Sequence, residues 1–427
     1  MSGRIQASLL LVLLLGVWLG SYAGSNNVER GRMEDILNVV SKDVQRNFYD
    51  PGLKGLDWPT LTEQARQRIR HADHMGEMIG AISALLYQLH DSHTVFIPPG
   101  RTVHAVYGFK AKPFAEEILV YEVDKDGPAD KAGLQLGDRI IAVDNLNATR
   151  TAFFDIMEYL TILDPRMELD VEVAAQDGTS RVIKIPTKLE PHPKEFFLNY
   201  NEIMRAADAR KHFYNSKDYE GGIVYLKLQS FLVPAAEMGA VANKARKARA
   251  VVLDLRGNGG GTVDAMTDLL GRFAGEPFEM AKSVSREKSE PIRIKPVSPS
   301  IGCPLFVLID SASASGSEML ARSLQLHKRA TVIGDRTSGH VNRARVFWEN
   351  VGAYDRVAFG TEIAVARVIM ENGEELENRG VTPDDLCIPS PADLRSERDP
   401  CLERALTHAT AAAQSARQDS KLNAVTK

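Results

Sequence analysis

Cysteine is scarce in this chain of 427 residues: Cys303, Cys387 and Cys401 are the three present. None forms a CxxC pair and no HExxH run occurs, so a zinc ribbon, a dithiol redox site and a zincin-type hydrolase all lack their ligands. No metal and no cofactor are expected. Long basic runs are also missing. Lys and Arg total 52 against 56 Asp and Glu, a formal net charge of -4, which offers a polyanion little and excludes nucleic acid as a partner. An apolar stretch long enough to span a bilayer is absent too. The run from Leu9 to Leu19 falls short of the roughly 20 residues a membrane helix needs.

What is present is ordinary for a globular protein, with 44% hydrophobic and 25% charged residues. The length exceeds what one core usually serves, so several domains are expected. Arg4, the short apolar run and the small residues Ser21 and Ala23 read as an export signal over residues 1–23. The mature chain is then expected in the periplasm or secreted, with no stable membrane span. Tethering by an uncleaved signal is the alternative. In an oxidising compartment Cys387 and Cys401, which flank a Pro-rich turn-like stretch, are able to pair. Cys303, just before PLFVLI, reads as a buried free thiol.

The expected fold class is multidomain α/β: an N-terminal helical segment, a PDZ-like β-domain and an α/β core. Residues 28–100 have the helical pattern, with Ile36, Val39, Val40 and Val44 at helical spacing and further helices over 60–70 and 75–89. His71 and His74 form an HxxH pair without further ligands and read as solvated; His90 reads as a surface or capping residue. Residues 104–190 turn to short β-rich runs at 118–123, 139–143, 169–173 and 182–185. The stretch GPADKAGLQLGDRIIAVDN within them resembles a PDZ domain. That resemblance implies peptide binding by strand addition, with Tyr107, Gly108 and Phe109, after Val106, at the place of the carboxylate-binding loop. Residues 195–395 alternate buried strands (GGIVYLKL, AVVLDL, PLFVLI, ATVIG) with helices. A C-terminal helix with a frayed tail is expected over 396–427.

Two segments carry chemistry. In PLFVLIDSASASGSEMLARS a buried strand runs through small residues into a helix. A serine at that turn is exposed at a helix N-terminus, where amide N–H groups and the helix dipole favour developing negative charge. In VVLDLRGNGGG a buried strand ends in the three glycines Gly259, Gly260 and Gly261, where backbone comes close to a reacting carbonyl; no Gly-Lys-Ser/Thr follows, so this is no phosphate loop. Read alone, the first segment is as well explained by an ordinary helix cap.

Taken together and in order, the helical segment, the PDZ stretch, the glycine triplet, the serine turn and the closing ELENRGVTPD resemble the carboxyl-terminal processing and tricorn-core serine peptidases. The resemblance implies Ser315 as nucleophile, the N–H of Gly316 as half of an oxyanion hole and that of Gly259 or Gly260 as the other half. Glu318 and Thr337 fall at supporting positions. The lysine of the tail-specific members is replaced, because the matching segment reads TSGH and puts His340 there; a further acidic position falls on Leu326. The tricorn-like members instead use a Ser-His pair before the PDZ segment and a late glutamate, which map to Ser92, His93 and Glu377. His93 is the expected base, since imidazole exchanges protons near neutrality, with His340 as the alternative. The implied function is endoproteolysis of exported polypeptides, the PDZ-like domain recruiting their C-terminal ends. A catalytically inactive peptide- or hydrophobic-ligand-binding protein on the same scaffold is the rival reading. The sequence does not give the oligomeric state.

Overall fold

The structure, a computed structural model, describes residues 27–100, 103–174, 179–191, 213–352 and 356–425. The export-signal reading of residues 1–23 lies outside these. The chain forms two compact units. The first holds the described residues up to His90, Thr94–Gly100 and Val346–Ile363; the second holds Asp91–His93, the described residues of 101–345, and those from Ala364 on.

In the first unit helix α1 (27–47) buries Met33, Ile36, Leu37, Val40 and Val44 on one stripe. Helix α2 (Trp58–His71) is capped by Asp57, which accepts the amide of Thr60, and Trp58 donates its indole N–H to Ser41 Oγ at 2.9 Å. Helix α3 (Met75–Tyr87) packs on α2 through a face that includes Met78, Ile82 and Leu85. The short strand β1 (Val95–Ile97) pairs antiparallel with residues 360–362.

The second unit contains the β-domain and the α/β core, save for Val346–Ile363, which belongs to the first. The β-domain runs through β2 (Val103–Val106), β3 (Phe109–Phe114), β4 (Glu117–Val123), α4 (Pro128–Ala132), β5 (Arg139–Val143), β6 (Leu146–Asn147), α5 (Phe153–Glu158), β7 (Glu168–Ala174), β8 (Ser180–Pro186) and β9 (Lys188–Pro191). Its sheet has the order β3-β4-β5-β7-β8, with β3 at an edge, while β2 and β9 form a separate ribbon. Alternation sets the buried face: Leu169, Val171 and Val173 of β7 point into a core with Ile118, Val120, Ile140 and Ile185.

The α/β core follows with β10 (Tyr214–Tyr219), β11 (Ile223–Leu228), α6 (Met238–Ala245), β12 (Ala250–Asp254), α7 (Val263–Phe273), β13 (Phe278–Ser285), β14 (Ser289–Ile294), β15 (Leu305–Ile309), α8 (Gly316–Leu326), β16 (Ala330–Gly334), β17 (Arg343–Val351), β18 (Val357–Met370), β19 (Asp385–Leu386), α9 (Pro391–Arg395) and α10 (Pro400–Val425). Strands run β10-β11-β12-β15-β16-β19, parallel from β11 onward. Both faces are covered, which explains the continuous apolar runs. Val251, Leu253, Val307 and Ile309 face one core with α6, α7 and α8; Val252, Phe306 and Leu308 face another with α10.

The expected C-terminal helix is present as α10, which runs through Val425; Ala405, Ala409 and Ala413 recur every fourth residue and pack on the sheet. One expectation needs correction. Cys303 is free but only half-buried, its thiol pushed up by burial. Leu326, at the position matching an acid, packs against the apolar core instead. Cys387 and Cys401 form a disulfide that ties α10 to the end of β19.

Candidate active site

Three neighbouring parallel strands deliver the site. β12, β15 and β16 lie side by side, so the loops at their C-terminal ends meet. These are the glycine loop, the serine turn and the segment containing Thr337, Gly339 and His340. Each strand is followed or closed by an aspartate: Asp254, Asp310 and Asp335.

Ser315 stands directly before α8 with φ +54° and ψ -116°, a conformation that side chains other than glycine rarely take. The turn around it is over-determined. The Ser315 N–H donates to the main-chain oxygen of His340 at 2.7 Å and to Glu318 Oε2 at 3.0 Å. The amide of Ala314 donates to Asn258 O at 3.0 Å, and Ser313 Oγ donates to Leu255 O at 2.8 Å. These contacts come from the strands on either side of β15, which is how the fold holds a strained residue.

Glycine is required at Gly260. With φ +95°, a Cβ there would lie 2.7 Å from Ser315 Cβ and 2.9 Å from the Gly316 nitrogen. A Cβ at Gly261 would come closer still, 2.2 Å from Phe231 C and 2.3 Å from Leu232 N. The Gly260 amide donates to Asn258 Oδ1 at 2.9 Å, whereas a Cβ at Gly259 would meet open space.

Glu318 is fully buried on the first turn of α8 and is the hub of the site. It accepts from Thr337 Oγ1 (2.5 Å), Gly339 N (2.7 Å), His340 N (2.9 Å) and Ser315 N (3.0 Å). Burial pushes its carboxyl up to about 7, against these donors, which favour the charged form. Thr337 passes the order on by accepting the Val381 amide at 2.6 Å.

The residues Asp91–His93 belong to the same compact unit as the core. Ser92 Oγ lies 3.0 Å from His93 Nδ1, and the Ser92 side chain helps to hold the Glu377 carboxyl low. Glu377 also accepts the amides of Ser92 (3.0 Å), Val341 (2.9 Å) and Asn342 (3.2 Å); burial raises its carboxyl, but these bonds win and hold it low. The His93 and His340 rings stand edge to face, with centroids 6.4 Å apart. Burial lowers both imidazoles, partly offset by Glu377, so both are neutral near pH 7.

The structure thus gathers Ser315, Gly259, Gly260, Gly316, Glu318, Thr337 and His340 around one turn, and Ser92, His93, Glu377 and His340 around one carboxylate. Sequence reasoning missed three residues. Asn258 braces the glycine loop, and Asp310 accepts the amides of Gly257 (2.8 Å) and Ala312 (3.1 Å). Asp91 accepts the His93 amide at 3.1 Å and the Asn342 side chain at 2.9 Å. The aspartate after each buried strand, and Asp91 two residues before His93, were the available signals. Tyr107 sits in the β-domain core with its hydroxyl donated to Arg166 O at 2.5 Å, and its carbonyl accepts Ala129 N at 3.0 Å.

Residues 222–386 match peptidase family S41, and residues 119–166 match the PDZ domain. The chain carries an S41 serine peptidase domain and a PDZ domain. The S41 match covers all three strand-end loops and Glu377. The chain is 25% identical over 367 residues to the chloroplastic C-terminal processing peptidase of Tetradesmus obliquus, covering 82% of this chain and 77% of that protein. It is also 25% identical over 376 residues to the carboxyl-terminal-processing protease of Synechocystis, covering 82% of each. The fold is shared with mature CPAF in complex with lactacystin (TM-score 0.63, 14% identity, 91% of this chain and 99% of that one). It is shared as well with the photosystem II D1 C-terminal processing protease (TM-score 0.50, 21% identity, 84% and 93%). Among the described residues no helix is long and apolar enough to cross a membrane.

Proposed function

We propose that this chain is an exported serine endopeptidase in which Ser315 attacks the scissile carbonyl and His93 is the general base. The observation that carries this reading is that Ser92 Oγ lies 3.0 Å from His93 Nδ1 while the Ser92 amide donates to Glu377 at 3.0 Å, in the same unit as the strained Ser315 turn. An alcohol without a base is a poor nucleophile, and here no lysine stands at the TSGH position.

In the reaction so assigned, the Ser315 hydroxyl gives its proton to His93 Nε2 as Oγ bonds the carbonyl carbon. The oxyanion is taken by the N–H groups of Gly316 and Gly259, since the Gly260 amide is committed to Asn258. His93 then returns the proton to the departing amine, and water repeats the sequence on the acyl-enzyme. Glu377 and Ser92 hold the ring and stabilise its transient charge, while Glu318 keeps the Ser315 and His340 backbones in register.

The substrate is a polypeptide, and the PDZ domain receives its C-terminal end along the edge strand β3, the carboxylate resting on the Tyr107-Gly108-Phe109 main chain. Export is supported by the charged, apolar and small-residue order of residues 1–23 and by the disulfide, which belongs to an oxidising compartment. A fluorophosphonate probe tests the reading: it should label Ser315 at neutral pH in the purified protein. Absence of labelling returns the chain to the ligand-binding alternative.

A further inference from the structure

Outside these residues, a buried polar cluster links the PDZ domain to the strand-end aspartates. Lys112, on the edge strand β3, pairs with Asp310, and both side chains are largely buried. The Lys112 ammonium also lies over the rings of Tyr121 (4.9 Å) and Phe114 (5.2 Å), which fixes its direction. On its other side Asp310 accepts Gly257 N from the glycine loop and Ala312 N from the serine turn, and its own amide donates to Ser313 Oγ at 3.0 Å. One carboxylate therefore joins the PDZ strand to both segments that the reaction uses.

Neighbouring contacts repeat the arrangement. Ser311 Oγ donates to Pro113 O at 2.6 Å, Ala115 N donates to Asp335 at 2.9 Å, and Arg150 pairs with the same carboxylate at 2.9 Å. Burial alone would raise the Asp310 carboxyl, but Lys112 and the amides hold it below the usual range, so it stays charged. Without Lys112 a buried carboxylate loses its principal counter-ion, and the loops it holds must rearrange to solvate it.

We propose that Lys112 is a positioning residue for the reaction: through Asp310 it sets the Ser315 turn and the Gly259 loop, so the site is assembled only while strand β3 is seated on the core. This rests on the peptidase reading for its kinetic consequence but not for its structural one. The test uses the mature full-length protein and the variants Lys112→Met, Lys112→Arg, Asp310→Asn and the double variant K112M/D310N. Lys112→Met should lower the rate of fluorophosphonate labelling, and kcat on casein, on the order of 10²-fold, as expected for misplaced reacting groups, with KM little changed. Lys112→Arg should recover most of the rate, and the double variant should lose no more than the worse single variant, because both act through one contact.

Amide hydrogen exchange over 255–262 and 310–318 is measured in parallel, and should quicken in Lys112→Met at a temperature well below its melting point. Wild-type labelling and unchanged exchange in Lys112→Met overturn the proposal, as do fully additive losses in the double variant. If the wild type itself is not labelled, the peptidase reading fails. The exchange comparison then still decides whether Lys112 holds the two loops.

Discussion

The Ser315 amide donates to the main-chain oxygen of His340 at 2.7 Å, while Glu318 accepts the amides of both residues. The serine turn after β15 and the loop after β16 are thus one hydrogen-bonded piece. His340 contributes to the site through its backbone whatever its ring does. The His93 ring, by contrast, has its Nδ1 3.0 Å from Ser92 Oγ.

Replacing the proposed nucleophile should therefore remove chemistry and leave the fold. Ser315→Ala is expected to abolish fluorophosphonate labelling and to lower peptide hydrolysis by about 10⁶-fold, as for removal of a nucleophile from a working triad. Thermal unfolding should be unchanged or slightly later, since a buried network and not the hydroxyl holds the turn. Labelling that survives in Ser315→Ala would move the nucleophile elsewhere.

His93→Ala should lose about 10²–10⁴-fold in labelling rate, the usual contribution of a general base. His340→Ala, which keeps the backbone contact to Ser315, should lose far less. The opposite order would make His340 the base. Because burial holds His93 below its ordinary value, labelling should be retained down to slightly acidic pH and vanish as the imidazole protonates beneath about 6.5.

Glu318 predicts a second ionisation. Its carboxyl is pushed up to about 7, so it binds its proton more tightly in the folded than in the unfolded protein. On this group alone, stability is greatest below the unfolded value and declines as pH rises toward 7. The active form needs the charge, since only the carboxylate accepts all four donors. The labelling profile should thus show an ionisation near 7 above that of His93. Glu318→Gln should remove the upper one and slow labelling at pH 8. A wild-type profile with one ionisation would contradict this role.

The disulfide should matter for stability and not for chemistry. Cys387 and Cys401 pack with α10 against the sheet face opposite α8. Closing a loop of this size is worth about 3 kcal/mol, so Cys387→Ser/Cys401→Ser should unfold at clearly lower urea. Labelling per folded molecule should match the wild type. A parallel loss of labelling would show that α10 reaches the site.

Much of this was legible in one dimension. The strands PLFVLI, AVVLDL and ATVIG declared themselves because residues buried on both faces must be apolar throughout. The glycine triplet and the small residues around Ser315 marked where backbones approach closely. The face that α10 presents to the sheet was not legible, because alanine at every fourth position is weakly hydrophobic and becomes a packing face only when a sheet lies beneath it. Lys112 gave no signal, since it is an ordinary charged residue whose partner, Asp310, lies far along the chain.

The sequence alone determined the order of the modules, the buried strands of the core, and the presence of serine, histidine and glutamate where a lysine is lacking. Those follow from local periodicity and residue type. Tertiary structure decided which carboxylate serves which loop: Glu377 for the Ser92-His93 pair, Glu318 for Ser315 and His340, and Asp310 for the joint with Lys112. Carboxylates are chemically alike in a sequence, and only the donors that a fold brings within 3 Å or so give each one its task.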